Sequence, residues 1–140
     1  MLGVLVDWIA SPIGWELGAN ATQKSMRKER ARALAEGRPV FFPGVIRGSG
    51  PYATPEGGAF LVLSDASLSW SAADGFGESL WTRVPLGRLE CRGERVTDRL
   101  EDGIPFGWVV FECRDGSASV SLACAEDDVA YVRAAGWPAT

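Results

Sequence analysis

The chain has 140 residues, of which 46% are hydrophobic and 23% are charged, and its formal net charge at pH 7 is -4. This length is enough for one domain with a single core, and the apolar fraction is too high for a disordered tail. The acidic charge argues against a general nucleic-acid binder, because such a protein needs excess basic charge to displace counterions from phosphate.

An apolar leader, MLGVLVDWIASPIGWELGAN, opens the sequence. It is not typical of a secretory signal, because no basic residue precedes Lys24. It does not match a membrane-spanning helix either, since Asp7, Pro12 and Glu16 interrupt the apolar run. Two alternatives stay open: a helix seated at a membrane surface, or a helix that packs on its own domain or on a second copy of the chain.

The leader and the basic stretch behind it carry the candidate membrane contacts. For insertion or helix packing these are Leu2, Val4, Leu5, Trp8, Ile9, Ile13 and Trp15, with the two tryptophans as interfacial anchors. Between Gln23 and Arg38 six basic residues stand against two acidic ones, whereas beyond Arg38 fourteen acidic residues stand against eight basic ones. The basic stretch suits anionic headgroups, and its candidates are Lys24, Arg27, Lys28 and Arg30.

The stretch QKSMRKERARALAEG predicts a helix that ends at Gly37, just before Pro39. Few of its residues are apolar, which favours a solvated spacer. We therefore assign residues 1–38 to an N-terminal helical anchor and spacer, and residues 39–140 to the folded domain.

Beyond Pro39 the periodicity changes from helix to strand, and seven strands are predicted. Pro43 and Gly44 suggest that the first strand is an edge or carries a bulge. The strands are expected at 40–48, 59–64, 67–72, 79–85 and 87–93, with a hairpin over 108–123 supplying the last two.

Two of the predicted turns are tight. Ser64, Asp65 and Ala66 reverse the chain between the second and third strands, and Asp115-Gly116 predicts a type I′ turn in the last hairpin. The side chains expected to fill the interior are Leu61, Leu63, Leu68, Trp70, Val109, Phe111, Cys113, Ala118, Val120 and Leu122.

A final helix is predicted over residues 125–137. Glu126, Asp127 and Asp128 precede it, and we interpret them as favourable charges at the positive end of the helix dipole rather than as a metal site. The apolar positions Val129, Val132 and Trp137 would close the mouth of a barrel.

The sequence contains three cysteines, Cys91, Cys113 and Cys124, without a C-x-x-C pair and without histidine. This pattern indicates neither a disulfide framework nor a zinc site, so we interpret the cysteines as small buried hydrophobes in a reducing compartment. No cofactor and no metal are predicted.

Three stretches carry a resemblance to a known superfold: GAFLVLSDASLSW, VPLGRLECRG and VVFECRDGSASVSLACAEDDVAYVRAA. Together they resemble bacterial pleckstrin-homology-like domains of the PH and GRAM type. The likeness implies a mainly β fold, a seven-stranded antiparallel PH-like barrel capped by a C-terminal helix. With its leader, the whole layout also resembles actinobacterial membrane-associated proteins of the DUF2550 type.

The resemblance implies binding of phosphoinositide headgroups, peptides or proteins. Headgroup binders carry basic residues in the first loop, whereas here that loop is GSGPYATPEGG, with Glu56 inside it and only Arg47 nearby. We therefore predict a non-enzymatic binding or scaffolding module for a protein or peptide partner. It would be bacterial and cytoplasmic, at the inner face of the cell membrane, with an anionic membrane surface as a further partner.

Two other function classes stay open. A structural protein could self-associate into a homo-oligomer through its N-terminal helices. An enzyme would have to rely on Glu90, Glu112 or Asp115, because the sequence has no histidine, no G-x-S-x-G motif and no P-loop. Converging buried carboxylates would favour the enzyme, whereas an apolar groove or an open strand edge would favour the binding module.

Overall fold

The computed structural model describes residues 20–71, 80–100 and 103–136, and their side chains from residue 26 onward. The chain is mainly β, as predicted. Its elements are helix α1 (Asn20–Ala35), strands β1 (Val40–Arg47), β2 (Ala59–Ser64), β3 (Ser67–Ser71), β4 (Thr82–Arg83), β5 (Glu90–Val96), β6 (Trp108–Asp115) and β7 (Ala118–Ala125), and the short helix α2 (Val129–Ala134).

The seven strands form one antiparallel sheet in the order β4-β3-β2-β1-β7-β6-β5. Seven antiparallel strands were expected, and they are confirmed. Closure into a barrel is not: within the described ranges no pairing joins β4 to β5. Since β4 is only two residues long and Pro85 soon follows it, this edge offers little backbone for a further ladder.

Strand β1 is central, so of the two alternatives predicted from Pro43 and Gly44, an edge strand or a bulge, the edge strand was wrong. Its first half, up to Gly44, pairs with β2, and its second half, from Gly44 onward, pairs with β7. Pro43 lies in the half that pairs only with β2 among the described residues, and a sheet tolerates proline where one side has no partner strand. A Cβ atom at Gly44 would collide with the side chain of Leu61, so the position where the partners change has room only for glycine.

The main core lies on one face of the sheet. Leu61, Leu63 and Leu68 are buried in it as predicted, and Trp70 packs against it half-buried. Tyr131 and Val132 of α2 join the same core. A second, smaller cluster covers part of the opposite face and contains Val45, Phe60, Ile104, Trp108, Val110 and Ala123. Because both faces are apolar, the central strands are buried on both sides.

The segment around β4 and β5 differs most from the prediction. Strands expected at 79–85 and 87–93 are found at Thr82–Arg83 and Glu90–Val96, separated by a 3-10 turn at Leu86–Arg88. Pro85 precedes this turn and cannot donate a ladder hydrogen bond, while buried Leu86 and Leu89 draw the turn onto the core. Strand β5 therefore extends into residues expected to form a loop.

Both tight hairpins have two-residue turns. Between β2 and β3 the turn residues Asp65 and Ala66 both have positive φ, 50° and 59°, which is the type I′ pattern. Between β6 and β7 the turn residues are Gly116 and Ser117, because Asp115 pairs with Ala118. Only Gly116 has positive φ there, which is typical of type II′. The prediction of a type I′ turn at Asp115-Gly116 was therefore wrong in type and displaced by one residue.

Candidate functional site

A groove of about 300 Å³ lies between helix α1 and the start of strand β1. Since α1 was expected to be a solvated spacer, its contact with the sheet is a finding of the structure. The α1–β1 groove is lined by Met26, Glu29, Arg30, Ala33, Arg38, Pro39, Val40, Phe41 and Phe60.

The floor of the α1–β1 groove is apolar and fixed in place by the sheet. Val40 and Phe60 are almost completely buried, and Ala33 fits the helix against the main core because its side chain is small. Phe41 is half-buried and meets Trp81 edge to face, with ring centroids 5.8 Å apart. The site therefore presents a preformed surface that suits apolar side chains.

Exposed ion pairs form the rim of the groove. Glu29 accepts hydrogen bonds from Arg38 at 3.2 Å and from Arg32 at 3.3 Å, and Arg38 also donates to Glu36 at 2.8 Å. The hydrogen bond to Glu36, followed by that to Glu29, raises the pKa of Arg38. The rim thus offers both signs of charge around an apolar floor, which is the usual layout of a protein-binding patch.

A buried ion pair holds α1 in place beside the groove. The Nη1 atom of Arg30 donates to Oδ1 of Asp128 at 2.9 Å, and its Nε atom donates to the carbonyl oxygen of Phe41 at 3.0 Å. Asp128 is 2% exposed and Arg30 is 9% exposed. Burial raises the pKa of Asp128, and the nearby Arg30 opposes that shift without cancelling it. The pair joins α1 to the turn before α2 and to β1.

This pair changes two of the predicted roles. Asp128 makes no capping hydrogen bond to α2; its carboxylate is directed at Arg30 instead. Arg30 was expected to face headgroups. Its guanidinium is buried and donates hydrogen bonds to Asp128 and Phe41, which does not fit that role. Sequence reasoning missed the contact because its two partners lie 98 positions apart.

The other predicted membrane residues are placed differently or lie outside the description. Arg27 is exposed and forms a surface ion pair with Asp127 at 3.1 Å, and Lys28 is exposed. The side chain of Lys24 and the leader residues Leu2, Val4, Leu5, Trp8, Ile9, Ile13 and Trp15 lie outside the described part of the chain. Their roles stay predictions.

The loop between β1 and β2 is held at the far end of the sheet by a second polar cluster. Tyr52 donates its hydroxyl to Oδ2 of Asp115 at 2.6 Å, and Arg88 donates to both oxygens of Asp115 at 3.1 Å. The indole N–H of Trp70 donates to the carbonyl oxygen of Tyr52 at 2.8 Å. Hydrogen bonds from Arg88 and then Tyr52 lower the pKa of Asp115, whereas burial and then Asp115 raise the pKa of Tyr52.

The carboxylates considered for an enzyme are each engaged in a separate polar contact. Glu90 pairs with Arg92 and Glu112 pairs with Arg95, each at 3.4 Å, while Asp115 belongs to the cluster with Tyr52. Nowhere in the described ranges do three Asp, Glu, Cys or His side chains lie close enough together to hold a metal ion. The arrangement can hold a loop and a strand edge in place.

Comparison with protein families, with curated proteins and with solved structures gives no match for this chain. The PH-like and DUF2550-type resemblances therefore stay predictions. Among the residues that the structure describes, no helix is both long enough and apolar enough to cross a membrane.

Proposed function

We propose that this protein is a non-enzymatic, PH-like binding module that holds an apolar segment of a partner protein in the α1–β1 groove. The observation that carries the proposal is the groove itself, with its buried floor at Val40 and Phe60 and its half-buried Phe41. An apolar groove was the feature expected of a binding module rather than of an enzyme.

The size and the rim of the groove favour a peptide. A volume of about 300 Å³ is at the lower limit for small-molecule sites, but it accommodates the anchoring side chains of a short peptide. Glu29 and Arg38 both line the groove and pair with each other at 3.2 Å. The preferred segment therefore has an aromatic or aliphatic anchor for the apolar floor, flanked by polar residues that face this ion pair.

The strand order supports the PH-like part of the proposal. β1 lies between β2 and β7, and α2 contributes Tyr131 and Val132 to the main core. The resemblance implies seven antiparallel strands followed by a C-terminal helix, and it differs in implying a closed barrel, whereas no pairing joins β4 to β5 in the described ranges.

The second part of the proposal is peripheral attachment to the cytoplasmic face of a membrane. It rests on the apolar leader with Trp8 and Trp15 and on the exposed side chains of Arg27 and Lys28 on the helix that follows. Surface-seated helices need both an apolar face and basic residues near the headgroups.

The groove is tested by selecting a random peptide library displayed on phage against the full chain. Enriched peptides should share an aromatic or aliphatic anchor. They should bind at least about tenfold more weakly to Phe41→Asp and to Met26→Glu, which alter opposite walls of the groove. Leu80→Asp is the matched control, because Leu80 is 66% exposed and lies outside the groove. Circular dichroism verifies that each variant is folded.

Equal binding to wild type and to both groove variants would refute the groove as the site, as would the absence of any enriched peptide. Loss of binding in Leu80→Asp as well would place the contact elsewhere on the surface.

Membrane attachment is tested by flotation with vesicles of phosphatidylcholine with and without phosphatidylglycerol. The full chain should float only with the anionic vesicles, and the double variant Trp8→Ser, Trp15→Ser should remain in the dense fraction. Arg27→Glu should reduce the floating fraction, and Arg92→Glu on β5, which makes the same charge change at another exposed arginine, should not. A wild-type chain that stays dense with both vesicles refutes attachment. Light scattering that finds an oligomer lost with the tryptophans would favour the self-association alternative.

A further inference from the structure

Two of the three cysteines lie directly opposite each other on neighbouring strands. Cys91 on β5 and Cys113 on β6 are partners in the antiparallel ladder. Cys113 belongs to the main core and Cys91 packs against the same cluster, so the two thiols share one face of the sheet. Side chains of directly opposed residues on one face are nearest neighbours across the strands.

The ladder also fixes the type of this pair. Asp115 and Ala118 close a two-residue hairpin, which makes them a hydrogen-bonded pair, and by alternation Cys113 is hydrogen-bonded to Val120 on β7. The N–H and C=O groups of Cys113 therefore point toward β7 and away from β5. Its pair with Cys91 is consequently not hydrogen-bonded. Such pairs have Cα atoms about 4.5 Å apart, which lies inside the range of about 4.4–6.8 Å found for disulfides.

The two thiols differ in access. Cys91 is half-buried and donates weakly to the carbonyl oxygen of Gly93, next to the position where the register shifts. Cys113 is buried. Burial, with a smaller contribution from the Cys91 thiol, raises the pKa of Cys113 to about 12. A small oxidant therefore reaches Cys91 first.

We propose that Cys91 and Cys113 form a reversible cross-strand disulfide on exposure to peroxides. The Cys91 sulfur attacks one peroxide oxygen, the O–O bond breaks, and a sulfenic acid and water are formed. The Cys113 sulfur then attacks the Cys91 sulfur, the S–S bond forms, the S–O bond breaks, and a second water leaves. In sum, two thiols and one hydrogen peroxide give one disulfide and two water molecules.

The disulfide has a structural consequence for the edge of the sheet. Among the described residues β5 pairs only with β6, and it is largely exposed, so its attachment depends on the ladder to β6. A covalent bond between the two strands prevents β5 from separating. In a reducing compartment such a bond is transient, which is typical of a redox-sensing pair.

The test oxidises the folded full chain with a small excess of hydrogen peroxide, quenches the reaction, and then unfolds and alkylates the protein. Intact-mass analysis should find one alkyl group after oxidation instead of the three found before it. Trypsin places the three cysteines in separate peptides, residues 89–92, 100–114 and 115–133, so the linked pair is identified directly. Treatment with dithiothreitol should restore all three alkylation sites.

Single variants separate this pair from the third thiol. Cys124→Ala should still form the 89–92 to 100–114 link, because Cys124 lies opposite Val109 on the far side of β6. Cys91→Ser and Cys113→Ala should each abolish this link. Because either variant alone suffices for the test, a folding defect in one of them leaves the other to decide it. A link that includes Cys124, a link between two chains, or sulfinic acid at Cys91 with Cys113 still alkylated would overturn the proposal.

Discussion

The two ends of the sheet are each held by an aspartate that accepts hydrogen bonds from an arginine. At the helix end, formed by α1, α2 and the β2–β3 turn, the pair is Asp128 with Arg30. At the loop end, formed by the β1–β2 loop and the β6–β7 turn, it is Asp115 with Arg88. The arginine side chain is 10% exposed in the first pair and 62% exposed in the second.

The pKa values of the two aspartates are shifted in opposite directions. Burial dominates at Asp128 and raises its pKa, whereas hydrogen bonds from Arg88 and Tyr52 dominate at Asp115 and lower its pKa. Desolvation penalises a charge in the interior, and solvent removes most of that penalty at the surface. The helix end is therefore more sensitive to the loss of a partner, and the loop end is more sensitive to acid.

The largest effect is expected from Arg30→Ala. This change leaves the carboxylate of Asp128 buried without its cation, so the free energy of unfolding should fall by about 3–5 kcal/mol. Urea denaturation followed by tryptophan fluorescence measures it.

Two further variants establish that burial is the cause. Arg27→Ala breaks the exposed pair with Asp127 and should cost less than about 1 kcal/mol. The double change Arg30→Met, Asp128→Leu should regain most of the loss, since it removes both charges and retains the volume. If Arg30→Ala proves no worse than Arg27→Ala, the helix end does not depend on the buried pair.

A smaller effect is expected from Tyr52→Phe at the loop end. The change removes the hydroxyl donor to Asp115 and keeps the ring, so the free energy of unfolding should fall by about 1 kcal/mol. Hydrogen exchange of the amides in residues 48–58 should accelerate, while exchange in α2 should be unchanged. Uniform acceleration across both ends would contradict a local role.

The two hairpin turns sharpen the comparison further. Ala66 at the helix end has a left-handed backbone without being glycine, whereas Gly116 at the loop end has the residue that this conformation favours. Ala66→Gly should therefore raise the free energy of unfolding by about 0.5–1 kcal/mol, and Gly116→Ala should lower it by a similar amount. Thermal unfolding measures both, and shifts of the same sign would refute the interpretation.

The smallest effect is a difference in pH dependence. The pKa of Asp115 is lower in the folded chain than its unfolded value of about 3.9, so its stabilisation is present above that value and is lost as the pH falls. The pKa of Asp128 is higher when folded, so stability falls as the pH rises from about 3.9 through that raised pKa. Asp115→Asn and Asp128→Asn should therefore change the acid slope of stability in opposite directions. Urea midpoints measured across the acid range test this, and equal signs would contradict it.

The hairpin from β2 to β3 was predictable almost to the residue because its information is local. Alternation places Leu61, Leu63 and Leu68 on one face, and Asp65 occupies a turn position that its side chain favours. The β4–β5 region was less predictable. Local strand propensity favours a strand from residue 87 onward, but Pro85 and the burial of Leu86 impose a 3-10 turn at Leu86–Arg88.

The candidate site was the least predictable part. Arg30 lies in a basic helix and Asp128 in an acidic run before another helix, so each has a sufficient local interpretation that hides the contact between them. The α1–β1 groove depends on the same contact, because it arises only where a largely polar helix settles on the sheet through Ala33. The sequence of α1 has no apolar periodicity that would predict its packing against the sheet.

The exchange of partners along β1 has a consequence for the time course of folding. The first half of β1 can pair with β2 as soon as the neighbouring chain has been synthesised, but the second half has to wait for β7. Long-range pairings of this kind slow folding, because the intervening chain must be ordered before they form. Ile46 can already form its hydrogen bonds with Thr54 of the β1–β2 loop at that stage, whereas the pairing of Val45 with Ala123 waits until almost the whole chain has been synthesised.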